Sequence, residues 1–310
     1  MKKLQPYIAL AATLAVGVAF VASALLKVQS IDSFELYIFS FEIFSLNLSA
    51  LLARVVIGAE LAVGVGYLCN ICHKQLYYII LTALAGFTLF LLYLVVVGRT
   101  DNCHCFGSLV DISPAESILK NVALVALLLL SRKLPQWKFP PIKDLNTYFV
   151  LGLVAIALYP FMKHPHRAMF DLLYGKGGSG AVDVELFEEF IAANDHLAWG
   201  EQTEVLLFYG TSCKYCGYSA QQISQIVRRN NLPTDRIKVV FMGAKQEQIE
   251  EFFAKNNSVE FDYIVMYPKP MLELINGHLP TLIFYDATAK HGFTTRNMRS
   301  ISEHELAGLL

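Results

Sequence analysis

Long apolar runs alternate with short polar segments through the first half of the chain, and the alternation then ends. A membrane-spanning helix needs about 20 mostly apolar residues. The pattern predicts five such helices, at roughly residues 7–26, 46–68, 76–97, 117–130 and 148–162. The first run also resembles a signal peptide, but we expect it to be retained because further spans follow for it to pack against.

From about residue 175 the pattern changes to short apolar strands separated by amphipathic helices. It predicts strands at residues 204–210, 236–243, 278–286 and 291–298, and helices at residues 184–195, 211–230, 245–256 and 301–310. The sequence therefore predicts an α-helical transmembrane bundle followed by an α/β domain. We place the membrane domain at residues 1–165 and the second domain at residues 183–310. Residues 166–182 include the glycine-rich stretch GKGGSG, and this composition predicts a flexible linker.

Composition supports a membrane protein. Of the 310 residues, 55% are hydrophobic and 16% are charged, whereas soluble proteins carry about 25% charged residues. The formal net charge of −1 gives no indication of a nucleic-acid partner. The expected surroundings of the first half are therefore the lipid bilayer.

The distribution of basic residues predicts the orientation in the membrane. Cytoplasmic loops carry an excess of Lys and Arg. A cytoplasmic N-terminus places most of the basic loop residues inside, namely Lys2, Lys3, Lys74, Arg132, Lys133, Lys138 and Lys143. Five spans then place the C-terminal domain on the periplasmic side of a bacterial inner membrane.

The six cysteines form three close pairs, Cys69/Cys72, Cys103/Cys105 and Cys213/Cys216. Close pairs indicate redox chemistry or metal binding. The predicted orientation places the last two pairs in an oxidising compartment, where dithiols can form disulfides. The pair Cys69/Cys72 falls at the cytoplasmic end of a span, where it either packs inertly or forms a thiol pair that passes electrons across the bundle.

Two charged residues lie within the second predicted span. Charged side chains in a bilayer are costly and usually face the bundle interior with a partner. Glu60 is expected to pair with Lys27 or with Arg54. The pair either stabilises the bundle or handles protons.

The pair Cys213/Cys216 lies where a short buried strand gives way to a helix. Unpaired backbone N–H groups and the helix dipole favour an anion at a helix N-terminus, so the pKa of Cys213 should be lowered. Lys214 would add to this effect. Cys216, one turn further on, would be the shielded resolving thiol. No two further zinc ligands are found at suitable spacing, so no metal site is predicted.

The order of elements around this pair resembles the thioredoxin fold over residues 183–310. The motif Cys213-Lys214-Tyr215-Cys216 follows a strand, and Leu279-Pro280-Thr281 precedes another. The resemblance implies a cis bond before Pro280 and contact of that proline with the dithiol. Tyr215 before the second cysteine is similar to glutaredoxins. A sequence with this resemblance is expected to exchange thiols and disulfides.

The first half resembles the MauE/DoxX family of redox-associated membrane proteins. The stretch DNCHCFGS after the third span carries the resemblance through Cys103, Cys105, Phe106 and Gly107, with His104 where the family commonly has glycine. This resemblance implies disulfide handling in the periplasm, as in the methylamine utilisation protein MauE. Alternatives for this stretch are a reduced, inert pair or a metal site.

Together these features predict a membrane-bound thiol–disulfide oxidoreductase. Electrons would be exchanged between Cys103/Cys105 and Cys213/Cys216, and protonated His104 would favour a neighbouring thiolate. The expected partners are exported cysteine-containing proteins or another thiol oxidoreductase. One alternative is a non-catalytic assembly factor for a periplasmic client. The other is a disulfide oxidase that uses a quinone as cofactor. Arg54 and Glu60 are the candidate residues for its quinone site.

Overall fold

The N-terminal helices coincide with the apolar runs of the sequence. The computed structural model describes residues 5–70, 73–99, 112–133, 145–174, 182–194, 204–285, 293–296, 298–299 and 301–310. Among these residues four helices are long and apolar enough to cross a bilayer: α1 (Gln5–Gln29), α3 (Leu46–Leu68), α4 (His73–Val96) and α5 (Pro114–Lys133). The short helix α2 (Ile31–Phe39) lies between the first two in the chain.

The predicted fifth span is helical but divided. One residue, Leu158, separates helix α6 (Leu145–Ala157) from helix α7 (Tyr159–Lys163). Pro160 lies in the first turn of α7 and has no backbone N–H to donate to the preceding helix. The fifth apolar segment is therefore shorter than the four long spans, as its short apolar run in the sequence indicated.

The membrane helices pack through aromatic and small side chains. Tyr67, Tyr77, Ile80 and Leu128 are buried in one cluster, and the Tyr67 hydroxyl lies 2.9 Å from Ser131 Oγ. A Cβ atom at Gly58 would collide with the backbone carbonyl of Ala157. This close approach of α3 and α6 requires glycine, as small-residue helix interfaces in membranes commonly do.

The chain divides into two compact units. The first comprises Met1–Tyr37 and Leu51–Pro165, and the second comprises Ile38–Ala50 and His166–Leu310. Residues 38–50 therefore group with the C-terminal domain. Within this second unit Arg229 donates to the backbone oxygen of Phe44 at 2.7 Å, and its guanidinium lies over the ring of Phe39.

The second unit contains a five-stranded mixed sheet. Its strands are β1 (Glu204–Tyr209), β2 (Ile237–Met242), β3 (Asp262–Met266), β4 (Thr281–Tyr285) and β5 (Phe293–Arg296), in the spatial order β3-β2-β1-β4-β5. Strands β1, β2 and β3 are parallel, and β4 and β5 run antiparallel to their neighbours. The helices of the unit are α8 (Arg167–Tyr174), α9 (Val184–Ala193), α10 (Lys214–Asn230), α11 (Gln246–Lys255), α12 (Pro268–Leu274) and α13 (Glu303–Leu309).

Helices cover both faces of this sheet. Side chains alternate between the faces along each strand. On one face Leu206 and Phe208 pack with Phe187 and Phe190 of α9 and Met271 of α12. The opposite face carries an aromatic cluster that includes Tyr209, Phe241 and Phe252. The result is a three-layer α/β/α arrangement, as the α/β pattern predicted.

The sequence pattern missed one strand and one helix. Strand β3 and helix α12 lie between α11 and β4, where no element was predicted. Strand β3 is at the edge of the sheet among the described strands, and several of its side chains are exposed. An edge strand buries little of either face, so its hydrophobic alternation is weak.

The predicted linker over residues 166–182 is partly wrong, because its first half contains helix α8. Arg167 is buried at the start of this helix. Its guanidinium donates to the backbone oxygen of Met298 at 3.4 Å and to Gln222 Oε1 at 3.2 Å. These contacts attach the start of α8 to the rest of the second unit. The glycine-rich stretch that follows α8 was the reason for predicting a flexible linker. Residues 175–181 lie outside the described residues.

A buried ion pair joins β1 and β2, and its removal provides a test of the fold. Lys238 Nζ lies 2.7 Å from Glu204 Oε2, with both side chains less than a tenth exposed. The variant Lys238→Met should lower the free energy of unfolding of this domain by about 3–5 kcal/mol, because Glu204 is left buried without its cation. The measurement is denaturant-dependent labelling of the buried Cys216 thiol in the full chain in detergent.

The control is Lys269→Met, since Lys269 is exposed and 3.9 Å from Glu273. It should change the free energy by less than about 1 kcal/mol. The double variant Glu204→Leu, Lys238→Met should recover most of the loss. Equal stability of Lys238→Met and Lys269→Met would show that the buried pair does not stabilise the sheet.

Candidate active site

The dithiol lies at the junction between the central strand and the helix that follows it. Strand β1 is completely buried and ends at Tyr209. Gly210 begins a tight turn in which the Cys213 N–H donates to the Gly210 carbonyl at 3.0 Å. Cys213 is then the N-cap of α10, with an extended backbone. The first thiol therefore lies at the positive end of a 17-residue helix.

The Cys213 sulfur accepts hydrogen bonds from the start of α10. The backbone N–H of Cys216 donates to Cys213 Sγ at 3.3 Å. The pKa of Cys213 is lowered to about 6, first by the hydrogen bond from the Cys216 thiol, against an opposing effect of burial, and further by the backbone N–H groups of Cys216 and Tyr215. A large fraction of Cys213 is therefore thiolate at neutral pH, and the thiolate is the nucleophilic form.

Cys216 has the opposite environment. Its side chain is fully buried, and both cysteines are free thiols in this structure. Burial is the largest cause that raises the pKa of Cys216, and the neighbouring Cys213 raises it further. The Gly210 N–H lies 3.5 Å from its sulfur. The dithiol is therefore asymmetric, with one partly exposed acidic thiol and one shielded thiol that stays protonated.

The proline segment approaches the dithiol from the neighbouring strand. The bond between Leu279 and Pro280 is cis, as the thioredoxin resemblance implied. Thr281 pairs with Phe208 in the antiparallel register of β1 and β4, which brings Pro280 opposite the end of β1. A Cβ atom on Gly210 would lie 3.5 Å from Leu279 Cδ1 and 3.7 Å from Cys213 Cβ. Leu279 and Cys213 therefore both border the space beside Gly210, and the contact of Pro280 with the dithiol stays a prediction.

The two residues between the cysteines face solvent. Tyr215 is 52% exposed, and its ring lies edge-on to Tyr218. Lys214 Nζ lies 5.5 Å from the centre of the Tyr218 ring. We predicted that Lys214 would help to lower the pKa of Cys213, but the lowering comes from hydrogen bonds at the helix start. Lys214 and Tyr215 instead form part of the exposed surface beside the thiol.

Sequence reasoning did not identify the residues behind the dithiol. The Tyr209 hydroxyl is buried and donates to Ser219 Oγ at 2.9 Å. Burial raises the pKa of Tyr209 well above its usual value, so the phenol stays neutral. A Cβ atom on Gly217 would collide with the Asn256 side chain, so glycine permits the close packing of α10 on the end of α11. The glycine directly after the second cysteine was the available sequence signal for this contact.

The charged residues predicted in the second span form two separate ion pairs in the first unit. Lys27 Nζ lies 2.6 Å and 2.8 Å from the two carboxylate oxygens of Glu60, one of the two partners considered. Arg54 instead pairs with Glu35, and also donates to the backbone oxygen of His164 at 2.8 Å. The sequence did not indicate Glu35 as a partner, because α2 had no predicted contact with α3.

Several predicted site residues lie outside the described part of the chain: Cys72, Cys103, His104 and Cys105. Cys69, the first member of the Cys69/Cys72 pair, is an exposed free thiol at the end of α3. Among the described residues no group of three or more His, Cys, Asp or Glu side chains is arranged to hold a metal ion. The described part of the site is therefore the pair Cys213/Cys216 with its surroundings.

Comparison with known proteins agrees with this arrangement of two parts. Residues 5–132 match the family described as methylamine utilisation protein MauE. The chain combines a MauE-like membrane region with a thioredoxin-like domain. The thioredoxin-like assignment rests on the sheet order and on the dithiol at the start of α10. The resemblance stated from the sequence is confirmed for both parts, and the protein is a multi-pass membrane protein.

One relative extends over most of the chain. Protein TlpB of Flavobacterium psychrophilum is 25% identical, over 80% of this chain and 79% of that protein. A solved structure of a secreted Mycobacterium tuberculosis disulfide oxidoreductase, described as homologous to Escherichia coli DsbE, is 22% identical. It covers 36% of this chain and 81% of that chain, with a TM-score of 0.29.

The asymmetry of the dithiol can be measured by alkylation. In the reduced full chain, Cys213 should react with iodoacetamide with a midpoint near pH 6, because its pKa is lowered to about 6. The reaction of Cys216 should be much slower across the same range. The variant Cys216→Ala should move the Cys213 midpoint upward, towards the ordinary thiol value of about 8.5, since the hydrogen bond from the Cys216 thiol is lost.

Peptide mass spectrometry assigns the modified cysteine in each case. Lys214→Met is the matched control, and it should leave the midpoint within about 0.3 pH units, a shift worth about 0.4 kcal/mol. If Cys216→Ala and the unmodified chain titrate together, the proposed origin of the acidic thiol is wrong.

Proposed function

We propose that this protein is a membrane-bound thiol–disulfide oxidoreductase that handles disulfides of exported proteins. The observation that carries the proposal is the asymmetric dithiol at the start of α10. Cys213 is partly exposed and acidic, whereas Cys216 is buried and stays protonated. This is the distribution of properties that a two-step thiol exchange requires.

The exchange proceeds through a mixed disulfide. The Cys213 thiolate attacks one sulfur of a substrate disulfide, a new S–S bond forms, and the other substrate sulfur leaves as a thiolate that takes up a proton. Cys216 then loses its proton and attacks Cys213 Sγ, which releases the second substrate sulfur. The substrate gains two electrons and two protons, and Cys213/Cys216 becomes a disulfide. The reverse sequence oxidises a substrate dithiol.

The surroundings of Cys213 suit an extended substrate segment. The proline segment at Leu279 and Pro280 lies on one side of the thiol, across Gly210. Lys214 and Tyr215 provide an exposed surface next to it in the chain. A client peptide that places its disulfide over Cys213 would therefore contact both. Cysteine-containing exported proteins, or another thiol oxidoreductase, are the proposed partners.

The second part of the proposal concerns the electron route. We place the C-terminal domain on the periplasmic side, on the basis of the Lys and Arg distribution among the loops. Cys103/Cys105 is then the partner dithiol of the membrane region for Cys213/Cys216. A Cys-x-Cys disulfide closes a small ring and would be readily reduced. Attachment to one chain makes such an exchange intramolecular, at an effective concentration of about millimolar.

Reduction potential determines the direction in which the enzyme works. Equilibration of the Cys213/Cys216 pair of the full chain with glutathione buffers provides this value. A potential near about −270 mV would assign the protein as a reductant, and one near about −120 mV as an oxidant. The raised pKa of the buried Cys216 thiol does not decide whether the protein is a reductant or an oxidant.

Trapping of the mixed disulfide tests the proposed mechanism. The variant Cys216→Ser should accumulate disulfide-linked complexes through Cys213, because the thiol that resolves them is missing. We expect complexes with exported proteins, and an internal Cys213 bond to Cys103 or Cys105, detected by non-reducing electrophoresis and peptide mass spectrometry. The matched control is Cys213→Ser, which should trap at least tenfold less because the remaining thiol is buried.

Two outcomes would contradict the mechanism. If Cys216→Ser traps neither a protein nor the membrane pair, Cys213 is not an exchanging nucleophile. If the double variant Cys213→Ser, Cys216→Ser still supports maturation of a client in cells, the protein acts as a binding factor and its thiols are secondary.

A further inference from the structure

A cavity of about 290 Å³ lies inside the membrane-spanning unit, among helices α1, α3, α4 and α5. This volume is at the lower end of the range of ligand pockets, about 300–1,000 Å³. Most of its wall is apolar, and it includes the aromatic rings of Phe20 and Phe87 and the side chains of Val63 and Leu124. Because these helices are membrane spans, a ligand of this cavity would come from the bilayer.

Polar groups converge on this apolar cavity. Lys27, Glu60 and Lys120 line it, which amounts to two ammonium groups and one carboxylate. The Lys27–Glu60 ion pair is also supported by Ser23 Oγ, 3.3 Å from Glu60 Oε2. Charged side chains within a span are costly, and they commonly mark a functional site. The excess of one positive charge favours a ligand with an oxygen acceptor.

Asn121 provides the second, independent indication of a ligand. Its side chain is only 1% exposed and lines the cavity. The amide nitrogen donates to Thr88 Oγ1 at 3.1 Å, but the amide oxygen has no hydrogen-bond partner among the described residues. A buried acceptor without a partner costs about 1–3 kcal/mol. A ligand hydroxyl at this position would satisfy it.

The polar residues of the cavity on α5 lie near the end of the helix that follows the Cys103/Cys105 segment in the chain. Lys120 lies six residues after Pro114, the first residue of α5, so it is about 9 Å along the helix from that end. The segment that connects α4 to α5 contains Cys103 and Cys105. The site itself consists of described residues alone.

We propose that this cavity binds the head group of an isoprenoid quinone. The aromatic walls suit a flat ring, and lysine ammonium groups suit its carbonyl oxygens. After reduction, a quinol hydroxyl can donate to the oxygen of Asn121. The isoprenoid tail would remain in the bilayer. The same site therefore has a donor for the oxidised ligand and an acceptor for the reduced one.

The inference rests on the proposed thiol chemistry and assigns it a membrane-soluble electron carrier. In the oxidising direction, a dithiol of this chain loses two electrons and two protons and becomes a disulfide. The quinone takes up the same two electrons and two protons and becomes a quinol, so one quinol forms for each disulfide. The Lys27–Glu60 pair lies at the cavity wall, where it can take part in the delivery of protons.

Binding measurements on cavity variants test the site. The full chain in phosphatidylcholine nanodiscs is titrated with radiolabelled ubiquinone carrying one isoprenoid unit and, separately and without oxygen, with the corresponding ubiquinol. Lys120→Met should weaken ubiquinone binding about tenfold, and Asn121→Leu should weaken ubiquinol binding about tenfold, as the loss of one buried hydrogen bond predicts. Lys74→Met is the matched control, because Lys74 is exposed and does not line the cavity. It should leave binding within twofold.

A third variant tests the cavity without changing a buried polar residue, in case the first two variants fail to fold. Ala83 lines the cavity from an exposed position on α4. Ala83→Phe should therefore obstruct the cavity without overpacking the buried core, and it should abolish quinone binding. Unchanged far-ultraviolet circular dichroism and an unchanged elution volume in size-exclusion chromatography show that the membrane helices of each variant are folded.

The outcomes separate the two proposals. Equal quinone affinity of the unmodified chain and the three cavity variants overturns the quinone site and leaves thiol exchange standing. A phospholipid found in the cavity by native mass spectrometry, and not displaced by ubiquinone, also overturns it. If quinone binding depends on the cavity but Cys216→Ser traps no mixed disulfide, the binding site stands and the proposed thiol–disulfide function fails.

Discussion

Hydrogen bonding of one sulfur atom at a helix start is the interaction on which the chemistry of this protein depends. The first turn of α10 provides backbone N–H groups that have no partner within the helix. Cys213 Sγ accepts from that turn and from the Cys216 thiol, and its pKa is lowered to about 6. Three residues later the burial of Cys216 raises the pKa of the second thiol. A separation of one helical turn thus distinguishes an attacking thiol from a resolving one.

The rest of the second unit holds this turn in place. Strand β1 is buried along its whole length at the centre of the sheet, so the loop that leaves it has a fixed starting point. Strand β4 pairs with β1 and brings Leu279 and Pro280 to the same end. Tyr209 and Ser219 fill the space behind the dithiol with a hydrogen bond between neutral groups. This contact therefore places no negative charge of its own behind Cys213.

In the membrane unit, charge is paired locally. Lys27 is held by Glu60 and Arg54 by Glu35, so each buried cation has a carboxylate within 3 Å. The difference between the two pairs lies in their surroundings. Arg54 is almost completely buried and also donates to backbone carbonyls of residues 164 and 165, as a structural pair does. The Lys27–Glu60 pair instead borders a cavity with a further lysine and with an amide oxygen that has no partner in the described part of the chain, which makes it the better candidate for function.

Periodicity and local motifs were sufficient to predict the two-part architecture, the four long spans and the positions of Cys213, Cys216 and Pro280, because each depends on residues close together in the chain. A membrane span is recorded as a continuous apolar run. A dithiol at the N-terminus of a helix is recorded as two cysteines at the point where a strand is followed directly by a helix. Tertiary structure alone decided the partners of Glu60 and Arg54, the proximity of Leu279 to the space beside Gly210, the helix within the predicted linker and the cavity around Asn121. These features join residues from 19 to 131 positions apart, and no local pattern records which helix faces meet when the chain packs.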